Sequence, residues 1–231
     1  MLGFKTWFEF EKDDLKDGFY LYPKRRILLF VLGIFVLLLA IFKLWTAASL
    51  ETVTGLDRLI ENLVSRYRTP LGEDLFFLIT LFGSQYFIIS AVLILMIPLF
   101  FKRRKRAAVT VFLTLVGSLV LIQVLKGFFG RIRPSGCYRG VDCLSYPSGH
   151  AALSFYFYGI IYYLGIKFLK LDRTFFFLTG VGFLLVICLI AVSRIYLGLH
   201  YFSDVVAGFL LGGICWLVAA ILIDFFYQKY S

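Results

Sequence analysis

Residues 75–101 read LFFLITLFGSQYFIISAVLILMIPLFF, a run of 27 positions without a single Asp, Glu, Lys or Arg. A helix needs about 20 predominantly apolar residues to cross the hydrocarbon core of a bilayer, so this run is long enough to span one. Residues 107–125, 174–193 and 205–223 are equally free of charge. With the apolar run that begins at Ile27 and the segment after His150, six spans are predicted, at 27–46, 75–101, 107–129, 151–171, 174–198 and 204–225. The composition agrees: 16% of the 231 residues are charged, whereas a soluble domain carries about 25%. The expected fold is all-α, a polytopic membrane protein of six transmembrane helices forming one domain over 1–231, without repeats or low-complexity segments.

A net charge of +10 would suggest a nucleic-acid partner in a soluble chain. Here the basic residues gather beside the ends of apolar segments, most clearly in Lys102-Arg103-Arg104-Lys105-Arg106. They read as topology signals, and no nucleic acid is expected. With the N-terminus inside, segments 1–26, 102–106, 167–173 and 224–231 carry 15 Lys and Arg, and the opposite segments 47–74, 126–149 and 194–204 carry 8. That excess predicts that both termini are cytoplasmic. Residues 1–26 mix Trp7, Phe8, Phe10, Phe19 and Tyr22 with charges and suit the membrane surface. Lys24-Arg25-Arg26 before the first span and Ala47-Ala48-Ser49 after it resemble the flanks of a secretory signal. The apolar stretch 27–42 is longer than a usual signal core, which favours a retained helix.

Between the first two spans, Leu56, Leu59, Ile60, Leu63 and Val64 recur at helical spacing and predict a short amphipathic helix. Cys188 and Cys215 fall within apolar segments and read as plain core residues. Cys137 and Cys143 share one polar loop, where an oxidising compartment would permit a disulfide that spacing alone does not establish. Gly208 and Gly212 form a Gly-x-x-x-Gly pair, for which close helix packing is the default reading.

Three segments place polar and charged groups where a membrane protein usually avoids them. They are KGFFGRIRP (126–134), PSGH (147–150) and SRIYLGLHYFSD (193–204). On the predicted topology the first follows the third span, the second precedes the fourth, and the third joins the fifth to the sixth. All three therefore emerge on the external face. The chain has 2 histidines, His150 and His200, and both lie in these segments. Arg131 and Arg139 read as solvated loop charges, with contact to a lipid head group as the alternative.

The order Lys, six residues, Arg-Pro; then Pro-Ser-Gly-His; then Ser-Arg, five residues, His, three residues, Asp resembles the signature of the type-2 phosphatidic acid phosphatase family. Each fixed position is present. The resemblance rests on a motif-bearing core at 107–225 and implies a lipid phosphatase with its site at the extracytoplasmic ends of the helices. It implies hydrolysis of a phosphomonoester or diphosphate on a membrane phospholipid or prenyl phosphate. Undecaprenyl diphosphate leads narrowly, beside phosphatidylglycerol phosphate, phosphatidic acid and the lipid A 1-phosphate, in a bacterial membrane with the site facing the periplasm or cell exterior. A phosphoryl transferase would use the same chemistry, and a lipid phosphate transporter would use the basic cluster for binding alone. No cofactor and no metal are expected.

The residue types support that chemistry. A phosphoryl group in transfer spreads negative charge over its oxygens, so catalysis is mostly positioning and electrostatic stabilisation. Lys126, Arg133 and Arg194 supply cations, arginine adding a planar fork that can hold two oxygens. Ser148 and the Gly149 backbone can donate hydrogen bonds at a helix N-terminus. Ser193 reads as phosphate-binding or as a helix-packing serine. His200 is the expected nucleophile, with Asp204 four residues on to hold its tautomer and stabilise the cationic ring. His150 is the expected general acid, since an imidazole titrates near pH 6.5.

Overall fold

The computed structural model describes residues 50–136, 143–169 and 173–228. The expected first span and the surface segment before it lie outside these residues. The described chain forms α1 (Leu50–Ser65), α2 (Pro70–Leu81), α3 (Gln85–Phe101), α4 (Lys105–Phe129), α5 (Gly149–Phe168), α6 (Arg173–Tyr196) and α7 (Phe202–Gln228). Five paths are long and apolar enough to cross a membrane: Pro70–Phe101, Lys105–Phe129, Gly149–Phe168, Thr174–Tyr196 and Phe202–Phe226. They correspond to the last five predicted spans. The amphipathic helix expected around residue 60 is α1.

Local chemistry sets the boundaries. Thr69 caps α2 by accepting the Gly72 N–H at 3.1 Å, and Pro70 occupies the first turn, where its missing N–H is harmless. Ser148 caps α5 in the same way. Gly130, at φ 62°, ends α4 in the left-handed conformation that glycine adopts without strain. The second predicted span is not one helix. The N–H groups of Phe82, Gly83 and Ser84 bond three residues back, to Ile79, Thr80 and Leu81, and Ser84 then caps α3 through the Phe87 N–H. Ser84 is one of the few polar residues in an otherwise apolar stretch, and it re-satisfies the backbone where the helix breaks.

Helix α5 is the axis of the bundle. Tyr156 is fully buried on it, its hydroxyl 2.7 Å from both the Val111 carbonyl and the Thr114 hydroxyl of α4. On the other flank α7 approaches so closely that a Cβ at Gly208 would fall 2.6 Å from the Ser148 carbonyl oxygen. One at Gly212 would fall 2.3 Å from that of Ala152. The glycine pair therefore does pack two helices, as expected. The outer surface is apolar, with Phe77, Ile94, Leu113, Val120, Phe177 and Leu185 all exposed toward the bilayer. Cys188 also lies on this outer face rather than in the core, and both it and Cys215 are free thiols.

On α1 the apolar stripe faces outward. Leu56, Leu59 and Leu63 are exposed, and among residues 55–65 the buried one is Asp57, at 2% exposure. That pattern suits a helix lying in the membrane interface with one polar anchor in the protein.

Gly212→Ala forces a methyl group into a backbone carbonyl and should lower the melting temperature in detergent by the equivalent of about 1–3 kcal/mol. Gly213→Ala, where the nearest atom would be Phe155 Cε1 at 3.5 Å, should melt like the parent.

Candidate functional site

The site gathers at one end of the bundle, where α4 and α6 finish and α5 and α7 begin. The α4–α5 loop is stapled across itself: Arg133 N–H donates to the Cys143 carbonyl at 3.1 Å, and Ser145 N–H to the Arg131 carbonyl at 2.7 Å. Residues 126–134 are thereby held against residues 143–150. Cys143 is disulfide-bonded, while Cys137 and Arg139 lie outside the described residues. The Ser148 N–H donates to the Asp204 carbonyl at 3.0 Å, joining the start of α5 to the start of α7. The α6–α7 turn folds back through Gly198, at φ 66°, and the His200 N–H reaches the Arg194 carbonyl at 3.2 Å.

All three motif segments thus converge. His150, in the first turn of α5, is electrostatically coupled to Arg194, His200, Arg133 and Lys126. Lys126 is buried in the last turn of α4, with Nζ 3.1 Å from the Leu144 carbonyl. Arg133 is buried too, with Nη1 donating to the Leu199 carbonyl at 3.4 Å. Arg194, at the end of α6, donates from Nη1 to Thr80 Oγ1 at 2.8 Å, and its buried Nε has no hydrogen-bond partner. Ser148 is fully buried as the α5 cap. A Cβ on Gly149 would meet Ile122 at 3.5 Å, an ordinary contact, so protein packing does not demand glycine there. The Ser193 hydroxyl donates to the Ile190 carbonyl of its own helix at 2.6 Å.

His200 is 2% exposed and its Nδ1 lies 3.6 Å from Asp204 Oδ2. That is an ion-pair distance but too long for a hydrogen bond, and the buried Nδ1 has no hydrogen-bond partner. Burial pushes the imidazole down from its ordinary value to about 4. Arg194 and Arg133 act in the same direction, while Asp204 opposes them. At neutral pH the ring is therefore uncharged. Asp204 is itself fully buried, accepting the Tyr201 N–H on Oδ2 at 2.9 Å and Arg131 Nη1 on Oδ1 at 2.7 Å.

Arg131 is a correction to the sequence reading. It is not a solvated loop charge, for its guanidinium bridges Asp204 and Asp57, 2.6 Å from the latter's Oδ2, and lies 4.1 Å from the centre of the Tyr201 ring. Burial alone would lower its pKa, but the two carboxylates outweigh that and raise it. Sequence reasoning also passed over Thr80 and Asp57. Thr80 is a lone hydroxyl two residues before the helix break, and Asp57 is an acid that shares a helix face with Ile60 and Val64. Both carried a faint signal. Among the described residues, no group of three or more His, Cys, Asp or Glu is arranged to hold a metal ion.

The family model described as PAP2 superfamily matches residues 107–228. Phosphatidylglycerophosphatase B of Bacillus subtilis (strain 168) is 29% identical over 181 residues, covering 75% of this chain and 87% of that protein. An undecaprenyl-diphosphatase of Sulfolobus acidocaldarius is 26% identical, covering 70% and 76%. The crystal structure of the PAP2-type phosphatidylglycerolphosphate phosphatase from Bacillus subtilis superposes with a TM-score of 0.72 at 26% identity, covering 85% of this chain and 97% of that one. That of Aquifex aeolicus LpxE gives 0.52 at 29% identity, covering 72% and 93%.

Thr80→Val replaces the Arg194 acceptor with a methyl group in a buried position. The expected outcome is a loss of about 1–3 kcal/mol in detergent melting, largely recovered in Thr80→Ser. Equal melting of Thr80→Val and parent would show that Arg194 does not depend on this hydroxyl.

Proposed function

Because the chain belongs to the PAP2 superfamily and is an integral membrane lipid phosphatase, we propose that it cleaves a lipid phosphomonoester or diphosphate through a phosphohistidine on His200. One observation supports this reading: His150 lies in the field of His200, Arg194, Arg133 and Lys126, and His200 in that of Arg194 and Arg133. That is the equipment in-line phosphoryl transfer needs, a nucleophile, an acid and cations around the transferring group.

Asp204 faces Nδ1 of His200, which leaves Nε2 to attack. The Nε2–phosphorus bond forms as the bond from phosphorus to the lipid oxygen breaks. His150 delivers a proton to that leaving oxygen, and Asp204 stabilises the now cationic ring. In the second half His150 takes a proton from water as the water oxygen attacks phosphorus. The nitrogen–phosphorus bond breaks, inorganic phosphate departs, and His200 returns neutral. Lys126, Arg133 and Arg194 offset the oxygens' charge throughout. Ser148 and the Gly149 N–H, at the positive end of α5, contribute hydrogen bonds. Ser193 joins them only by releasing the Ile190 carbonyl.

For the substrate we favour phosphatidylglycerol phosphate or undecaprenyl diphosphate, the lipids for which the phosphatase relatives are named. The excess of Lys and Arg on segments 1–26, 102–106, 167–173 and 224–231 supports cytoplasmic termini and a site open to the periplasm or cell exterior.

The test is phosphate release by purified protein in detergent from these two lipids, phosphatidic acid and lipid A 1-phosphate. One of the favoured pair should turn over fastest. His200→Ala should lose at least about 1,000-fold and His150→Ala about 100- to 10,000-fold. Full activity in His200→Ala removes the nucleophile from this scheme.

The pH dependence has a definite sign. The attacking form of His200 is the unprotonated one, and its lowered pKa keeps it in that form down to about pH 4. The acid limb of kcat/KM should therefore fall as pH drops through about 4. A limb at the ordinary histidine value near 6.5 would mean that His200 is solvated.

A further inference from the structure

The cluster behind His200 contains more than the reading above uses. Arg131 is over-determined: its carbonyl accepts the Ser145 N–H at 2.7 Å and the Ser145 hydroxyl at 3.2 Å. Its guanidinium reaches Asp204 Oδ1 at 2.7 Å, Ser203 Oγ at 2.6 Å and Asp57 Oδ2 at 2.6 Å. Asp57 is held as tightly, accepting the Ser203 N–H on Oδ1 at 3.0 Å and the Ser203 hydroxyl on Oδ2 at 2.7 Å. Asp57 and Asp204 are 2% and 0% exposed. Asp57 lies on α1, outside the matched residues 107–228, and neither it nor Arg131 is among the charged groups that act directly on His150 or His200.

Two buried carboxylates share one guanidinium, so the group carries one net negative charge. Taking carboxylates out of water costs several kcal/mol each unless they are paired, and Arg131 offsets that for both. The division matters. Were Arg131 paired with Asp204 alone, the pair would be neutral and would offer little to a ring that becomes cationic on attack. By drawing part of the guanidinium's charge toward α1, Asp57 leaves net negative charge beside His200. Arg131 on Oδ1 also fixes the rotation of the Asp204 carboxylate, so that Oδ2 faces the ring.

We propose that Arg131 and Asp57 are positioning residues for phosphoryl transfer, Arg131 orienting Asp204 and Asp57 holding Arg131 while keeping the cluster anionic. Helix α1 is then a strut of the catalytic centre: its apolar side lies in the membrane interface and its buried Asp57 is part of the charge cluster behind the nucleophile. This rests on the phosphohistidine reading. The charged and titratable groups facing His200 are Asp204 from α7, Arg194 from α6, Arg133 from the α4–α5 loop and His150 from α5. Changes at Asp57 and Arg131 reach His200 through Asp204.

The experiment measures kcat, KM and the acid limb of kcat/KM per folded enzyme, with the best lipid of the panel above, in Asp57→Asn, Arg131→Gln, Arg131→Lys and His200→Ala. The first three should lose about 10- to 100-fold in kcat, the size of loss that outer partners of metal-bound histidines show, with KM within about twofold. Asp57→Asn removes a negative charge and should move the acid limb to lower pH. Arg131→Gln removes a positive charge and should move it to higher pH. Arg131→Lys keeps the charge without the fork and should lower kcat with the limb unmoved. A merely structural role would lower the yield of folded protein without moving the limb in opposite directions. Parent-like kcat and limb in Asp57→Asn and Arg131→Gln, with His200→Ala inactive, overturn this proposal and leave the phosphohistidine standing. Activity in His200→Ala overturns both. If Asp57→Asn does not fold, Asp57→Glu decides the same way, expected to lower kcat with the limb in place.

Discussion

The close crossing of α5 and α7 is the constraint on which the site depends. Gly208 and Gly212 bring the backbone of α7 against the carbonyls of Ser148 and Ala152, and at that crossing the Ser148 N–H bonds to the Asp204 carbonyl. One contact thus sets the start of one helix, with Ser148 and His150, against the start of the other, with His200 and Asp204. With no side chains at Gly208 and Gly212, the two histidine-bearing turns are set against one another at the same end of the bundle. In a bilayer, where apolar burial gives little drive to bring helices together, such close backbone contact is a main source of association. The same glycines serve stability and geometry.

The charges are handled in two ways. Arg194 is steadied by the hydroxyl of Thr80, a dipole that fixes a cation in place without cancelling it. Arg131 is tied to two carboxylates, which neutralise it and leave an excess of negative charge. Arg194 therefore keeps its charge unneutralised by any carboxylate among the described residues, whereas Arg131 is committed to Asp204 and Asp57. Arginines of similar sequence context differ in role because of what lies opposite each, and this is why Arg131 could not be read correctly from its position two residues before Arg133.

Much else was legible. Hydropathy located the last five spans to within a few residues, because long charge-free runs have few other places to be. Motif spacing brought Lys126, Arg133, His150, Arg194 and His200 to one end of the bundle, since the polar segments had to leave the membrane on a common side. What was hidden depended on tertiary contact. Asp57 meets Ser203 across 146 residues of chain, and no local pattern encodes a partner so distant. The apolar stripe of α1 was visible, but its direction was not: Leu56, Leu59 and Leu63 face outward and the acid faces in. Likewise the FGSQ segment at 82–85 carried a glycine and a capping serine, the ordinary marks of a break, inside a run whose length argued for one continuous helix.

Chain topology also gathers positive potential at this end of the bundle. Helices α5 and α7 begin at the site, and α3 begins beside it, for a Cβ on Gly83 would lie 3.5 Å from His150. Each helix N-terminus carries roughly half a positive charge. Helices α4 and α6 run the other way and present their negative ends, which would weaken the field. They place Lys126 and Arg194 in their last turns, where a cation is stabilised by its own helix and reverses the sign of the potential beyond it. Chain direction alternates through the bundle, yet both directions contribute positive potential at one place. Lys126 and Arg194 therefore sit at the C-terminal ends of α4 and α6, where they counter the negative ends, and the histidines sit in or just before the first turns of α5 and α7, at the positive ones.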